Sequence, residues 1–111
     1  TATVTYDANL RTTCLHLQSG SSFETDAPSD NKGQGARFSP TDLIATGLGA
    51  CLITTMGIKA ESMDLKLDGA KVDVTKVMMS EPRRIGKIVI AVTMPALNLD
   101  AHTKEILERV V

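Results

Sequence analysis

The chain has 111 residues, one domain's worth, and a formal net charge of −1, which excludes the basic surface that nucleic-acid binding requires. Its two cysteines lie outside any Cys-x-x-Cys or Cys/His spacing, which excludes a disulfide framework and a zinc site. The opening Thr-Ala-Thr-Val-Thr-Tyr is neither basic nor a long apolar run, so no secretory signal is read and a cytoplasmic, reducing location is expected.

The N-terminal third reads as antiparallel strands. Thr1 to Tyr6 is rich in β-branched residues and Asp7-Ala8-Asn9 signals a turn. A strand resumes from Leu10 to Gln18, Ser19-Gly20-Ser21-Ser22 turns again, and a third strand starts at Phe23 and reaches Asp26. The polar run from Ala27 to Gly35 is a loop by composition and suits a mobile or ligand-facing segment. Its Asn31-Lys32-Gly33-Gln34-Gly35 echoes a phosphate-binding loop but lacks the Gly-Lys-Ser/Thr ending.

A long helix follows. Ser39 is a good N-cap, Pro40 suits the first helical position and Asp42 places a carboxylate at the third. From Leu43 to Ile58 no residue is charged, so the helix is expected to be buried on most sides with Cys51 inside. At sixteen residues, with three glycines and three threonines, that run falls short of the roughly 20 that a membrane span needs. Leu43, Gly47, Ala50 and Thr54 form a stripe suited to close helix packing. A hairpin is predicted next, from Ala70 to Met79 and from Ile88 to Met94, with a turn over Ser80–Gly86 holding Arg83 and Arg84. A last helix begins near Asp100 or Ala101 and presents Ile106, Leu107, Val110 and Val111. Aromatics are few (Tyr6, Phe23 and Phe38), so the core is aliphatic and modest, which favours oligomerisation.

The chemistry centres on Cys51, with two readings open: a small residue filling a helix interface, or a reactive thiol. Thr41 and Asp42 lie ten and nine residues earlier, close to three turns, which puts the same face within their reach. A carboxylate alone disfavours a thiolate, so a cation is needed; Arg11, Arg37, Arg83 and Arg84 are the candidates. Cys14 and His16 share a strand face, which is half a metal site, a nucleophile with its base, or an ordinary surface. His102 reads as a solvent-facing residue, and the two arginines of the hairpin turn as a solvated tip.

Phe38-Ser39-Pro40-Thr41-Asp42-Leu43-Ile44-Ala45, then Leu48-Gly49-Ala50-Cys51-Leu52 and Thr55-Met56-Gly57-Ile58, resemble the signature helix of the OsmC/Ohr superfamily (osmotically induced protein C and organic hydroperoxide resistance protein). Leu10-Arg11, Ser19-Gly20, Thr25-Asp26-Ala27-Pro28 and Glu81-Pro82-Arg83-Arg84-Ile85-Gly86 match the OsmC-like subgroup. The resemblance implies an α+β fold, with antiparallel strands wrapped around a long buried central helix, in an intertwined homodimer. It also implies thiol-dependent reduction of organic hydroperoxides, with no metal or organic cofactor and an external dithiol as reductant. Cys51 matches the peroxidatic cysteine and Arg11 the arginine that favours its thiolate. The family's glutamate falls at Thr41, with Asp42 beside it as a substitute. The family's resolving cysteine follows the last helix in a Cys-Pro context, and the sequence reaches Val111 before one. The expectation is therefore a single OsmC-like domain over 1–111 without the family's C-terminal segment. The competing expectation is a non-catalytic stress-response dimer that binds a hydrophobic small molecule at its interface.

Overall fold

The computed structural model describes residues 1–94 and 101–110. They form two compact units, 1–44 and 45–111, and the chain crosses from one to the other within its long helix. In the first unit, strands β1 (Ala2–Ala8), β2 (Arg11–His16) and β3 (Ser22–Asp26) make an antiparallel sheet in that order. β1 runs past the predicted Tyr6 because the reversal needs only Asn9 and Leu10. Both have positive φ, 55° and 65°, as a type I′ hairpin turn requires. The Tyr6 hydroxyl accepts the Leu10 N–H at 3.2 Å. β2 stops at His16 rather than Gln18, because the His16 N–H already donates to the Ser21 carbonyl across the next turn.

The register places Arg11 opposite Asp26, Thr12 opposite Thr25, and Cys14 between Val4 and Phe23. With a side-chain period of two, Val4, Tyr6, Cys14 and Phe23 share one face, and Arg11, Thr13, Glu24 and Asp26 the other. A short 3₁₀ turn at Ser29–Asn31 follows β3.

Helix α1 (Pro40–Ser62) begins in a reciprocal capping box. The Asp42 N–H donates to Ser39 Oγ at 3.1 Å, and the Ser39 N–H donates to Asp42 Oδ2 at 3.0 Å. It ends in a Schellman motif. Asp64 is left-handed at φ 55°, its N–H donates to the Glu61 carbonyl, and the Leu65 N–H reaches back to the Ala60 carbonyl. By length and a mean hydropathy of 1.5, α1 would suffice to cross a membrane. It nevertheless packs on strands.

In the second unit, β4 (Lys71–Met79) and β5 (Arg84–Thr93) form an antiparallel pair. Val72, Val74, Lys76 and Met78 alternate inward on β4, and Ile88, Ile90 and Val92 on β5, as the period-two pattern predicts. β5 starts earlier than predicted, at Arg84. The Arg84 guanidinium closes the turn by donating to the Pro82 carbonyl at 2.8 Å and the Ser80 carbonyl at 3.3 Å. Gly86 is the extra residue of a bulge, where a Cβ would overlap the Met79 side chain.

Gly49 seats α1 on β4: a Cβ there would lie 2.6 Å from Val74 Cγ2. Among the described residues a Cβ at Gly47 would meet nothing within 4 Å, so Gly47 takes no part in seating α1 on β4. Helix α2 (Ala101–Arg109) inserts Leu107, fully buried, beside Met56 and Ala60, with Leu52, Leu65 and Met94 packed around them. The expected contributions of Asp100 and Val111 lie outside the described residues.

Within a single chain α1 is not buried on most sides, contrary to what its uncharged run suggests. Only Ala45, Gly49, Met56 and Ala60 are buried along it. A two-stranded hairpin and one short helix cover a single side of a helix that is apolar all round.

Candidate functional site

Cys51 lies mid-helix, and its side chain is exposed rather than interior. At spacings of three and four it joins Leu48 (49% exposed), Thr54 and Ile58 (67% exposed) in an open, largely apolar stripe. Little on its own helix activates the thiol. The helix N-terminal dipole acts within about the first turn, and Cys51 is eleven residues past Pro40. The neighbouring Thr55 hydroxyl donates to the Cys51 carbonyl at 2.8 Å, so it is engaged with backbone.

Of the residues nominated to assist Cys51, Arg11, Arg37, Thr41 and Asp42 belong to the first unit, and Arg83 and Arg84 to the second. Thr41 and Asp42 are drawn to the start of α1, where Asp42 completes the capping box and the Thr41 and Ser39 hydroxyls bond at 3.2 Å. Arg11, at the head of β2, faces Asp26 across the ladder. Its Nη2 lies 3.9 Å from Asp26 Oδ2 and donates to Gln34 Oε1 at 3.4 Å. Asp26 is 1% exposed, its N–H donates to the Phe38 carbonyl at 3.1 Å, and its Oδ2 accepts the Ala36 N–H at 3.0 Å. Asp26 Oδ1 is buried with no hydrogen-bond partner among the described residues. The structure thus brings together Arg11, Asp26 and Gln34, a trio the sequence reading did not nominate. Asp26 stood within a recognised motif, but only the pairing of β2 with β3 gives it a role.

The other candidates are occupied locally. His16 Nδ1 accepts the Ser19 N–H at 3.3 Å and bonds the Ser19 hydroxyl at 2.6 Å, so it organises a turn. Cys14 lies 3.9 Å from the Thr12 hydroxyl, which also bonds Thr25. Among the described residues no three His, Cys, Asp or Glu side chains converge as metal ligands. The glycine loop does not cradle an anion either, because the Gly33 and Gly35 N–H groups donate to the Pro28 and Ala27 carbonyls. His102 is exposed on α2. A cleft of about 350 Å³ opens over Leu52, Met56, Val92 and Met94, with Lys104 and Glu108 also lining it.

The family model for OsmC-like protein matches residues 33–111. The chain belongs to the OsmC-like family. A solved protein of Psychrobacter arcticus 273-4, described as an osmotic stress induced and detoxification response protein, is 46% identical with a TM-score of 0.93, over 98% of this chain and 79% of that one. A Vibrio cholerae organic hydroperoxide resistance protein, solved with captopril in one of its active sites, is 18% identical with a TM-score of 0.72, over 99% and 76% of the two chains. A Legionella pneumophila organic hydroperoxide resistance protein is 17% identical with a TM-score of 0.66, over 96% and 78%. No curated protein matches the chain. The two helices and two antiparallel sheets are the α+β arrangement of these OsmC-like structures.

Proposed function

We propose that this OsmC-like chain is a thiol-dependent peroxidase that reduces organic hydroperoxides through Cys51. The observation that carries the reading is the exposed Cys51 thiol set in an apolar stripe of α1, where the alkyl part of a hydroperoxide finds apolar contact. Cys51 thiolate attacks the outer peroxide oxygen, the O–O bond breaks, and the alkoxide leaves as the alcohol on taking up a proton. Cys51 is left as the sulfenic acid. A thiol then condenses with it, releasing water, and an external dithiol reduces the resulting disulfide back to thiol. Arg11 supplies the cation that favours thiolate. Thr41 and Asp42 act by capping α1, which fixes the helix that carries the nucleophile. The chain works as a homodimer in the cytoplasm, with the Cys51 stripe left open to the hydroperoxide.

The test follows consumption of cumene hydroperoxide with a dithiol reductant. Cys51→Ser abolishes turnover and Cys14→Ser leaves it nearly unchanged; equal loss in both variants overturns the assignment. A second reading draws on the apolar floor of the cleft at Met56 and Met94. There the protein is a non-catalytic dimer that binds a hydrophobic small molecule, and the wild type would consume no peroxide.

A further inference from the structure

We propose that Asp26 is the positioning residue of Arg11. The proposal deepens the reading above, because its catalytic consequence rests on Arg11 acting at the Cys51 thiolate.

The placement is built into the sheet. Arg11 and Asp26 are direct partners across the β2–β3 ladder, on the same face. Asp26 cannot swing away. Its own N–H is tied to the Phe38 carbonyl and its Oδ2 accepts the Ala36 N–H, so the C-terminal arm of the 27–39 loop holds both its backbone and its carboxylate. At 1% exposure that carboxylate has lost its water, and a desolvated carboxylate calls for a counter-charge. Arg11 lies against it with its side chain 34% exposed. This differs from a surface ion pair, where both partners stay solvated and little is fixed.

The contact also has slack. At 3.9 Å, Nη2 to Oδ2 is longer than a hydrogen bond, and Gln34 Oε1 takes the same nitrogen at 3.4 Å. Among the described residues Asp26 Oδ1 is buried with no hydrogen-bond partner. A guanidinium offers a planar fork of donors, so a modest rotation from Gln34 toward Asp26 engages both carboxylate oxygens. Asp26 is thus a fixed anchor, and Gln34 a weaker rest on the loop side.

The experiment reads Arg11 directly, through the 15N side-chain Nε–Hε signal of the full chain, alongside hydroperoxide kinetics. In the wild type the Arg11 signal is restrained and slow to exchange. In Asp26→Asn, which keeps the shape and an acceptor for Ala36, the signal becomes mobile and kcat/KM falls by about tenfold or more, within the roughly 10²-fold that a 1 Å misplacement can cost. Asp26→Glu restores part of both. Gln34→Ala, at an exposed loop position, leaves Arg11 restrained and serves as the deciding variant should Asp26→Asn not fold. An Arg11 signal that stays ordered in Asp26→Asn, or that is lost in Gln34→Ala, overturns the proposal. A wild type that consumes no hydroperoxide sinks the functional reading, while the Arg11 signal still decides the positioning.

Discussion

Gly49→Ala tests how α1 meets its sheet. The added Cβ would lie 2.6 Å from Val74 Cγ2 and 3.3 Å from Val72 Cγ1. Carbons in good contact sit about 3.5–4.0 Å apart, so roughly 1 Å of room is missing. Val74 is β-branched on a strand and stiff at χ1, so it cannot simply turn aside. Either α1 lifts from β4 or Val74 takes a poor rotamer, at a cost of about 1–3 kcal/mol. Alanine returns about 0.8–1 kcal/mol of helix propensity over glycine, which leaves a net loss near 1 kcal/mol.

The sign should reverse once the obstacle is gone. In a Val74→Ala background the nearer obstacle is absent and only the 3.3 Å approach to Val72 Cγ1 remains, so Gly49→Ala then stabilises by roughly 0.5–1 kcal/mol. The coupling between the two substitutions is therefore about 2 kcal/mol, well above the few tenths expected of independent sites. Urea melts of wild type, both single variants and the double variant, at one protein concentration, give the cycle directly. Additive free energies would refute the close approach of α1 to β4.

Two further substitutions probe the ends of α1. Ser39→Ala removes the acceptor for the Asp42 N–H at a buried cap and should cost about 1–2 kcal/mol, read as a lower denaturant midpoint; no change would mean that the capping box does not stabilise the helix. Asp64→Gly relieves a left-handed residue at the exposed C-terminal turn and should raise the thermal midpoint by a few degrees, for a gain of about 0.5–1 kcal/mol; a fall would count against the Schellman geometry.

Much of the fold was legible because local rules decided it. The capping signal Ser39-Pro40-Thr41-Asp42 starts α1 where the chain says it should. The alternation in β4 and β5 puts the expected side chains inward. Where sequence reading slipped at strand ends, the cause was turn geometry rather than composition. A turn of Asn9-Leu10 lengthens β1, and an arginine folded back on its own turn brings β5 forward to Arg84. Neither follows from composition. Cys51 was read as interior because an uncharged helix must be covered somewhere. One chain covers only the side that carries Ala45, Gly49, Met56 and Ala60.

The same distinction explains why the site was half legible. Thr41 and Asp42 drew notice for their spacing from Cys51, yet the identical residues spell a helix cap, and a carboxylate three residues after an N-cap serine has a closer partner in that serine than in a thiol three turns on. Arg11 was nominated by motif, and its sequence neighbours give no hint of what would hold it. Asp26, fifteen residues away, reaches it only through strand pairing. No residue from Leu43 to Ile58 is charged, so activation of Cys51 cannot be local to α1. On the proposed reading, a nucleophile on an apolar helix takes its electrostatic partner from tertiary structure, and the residue proposed to aim that partner is one step further from the motif.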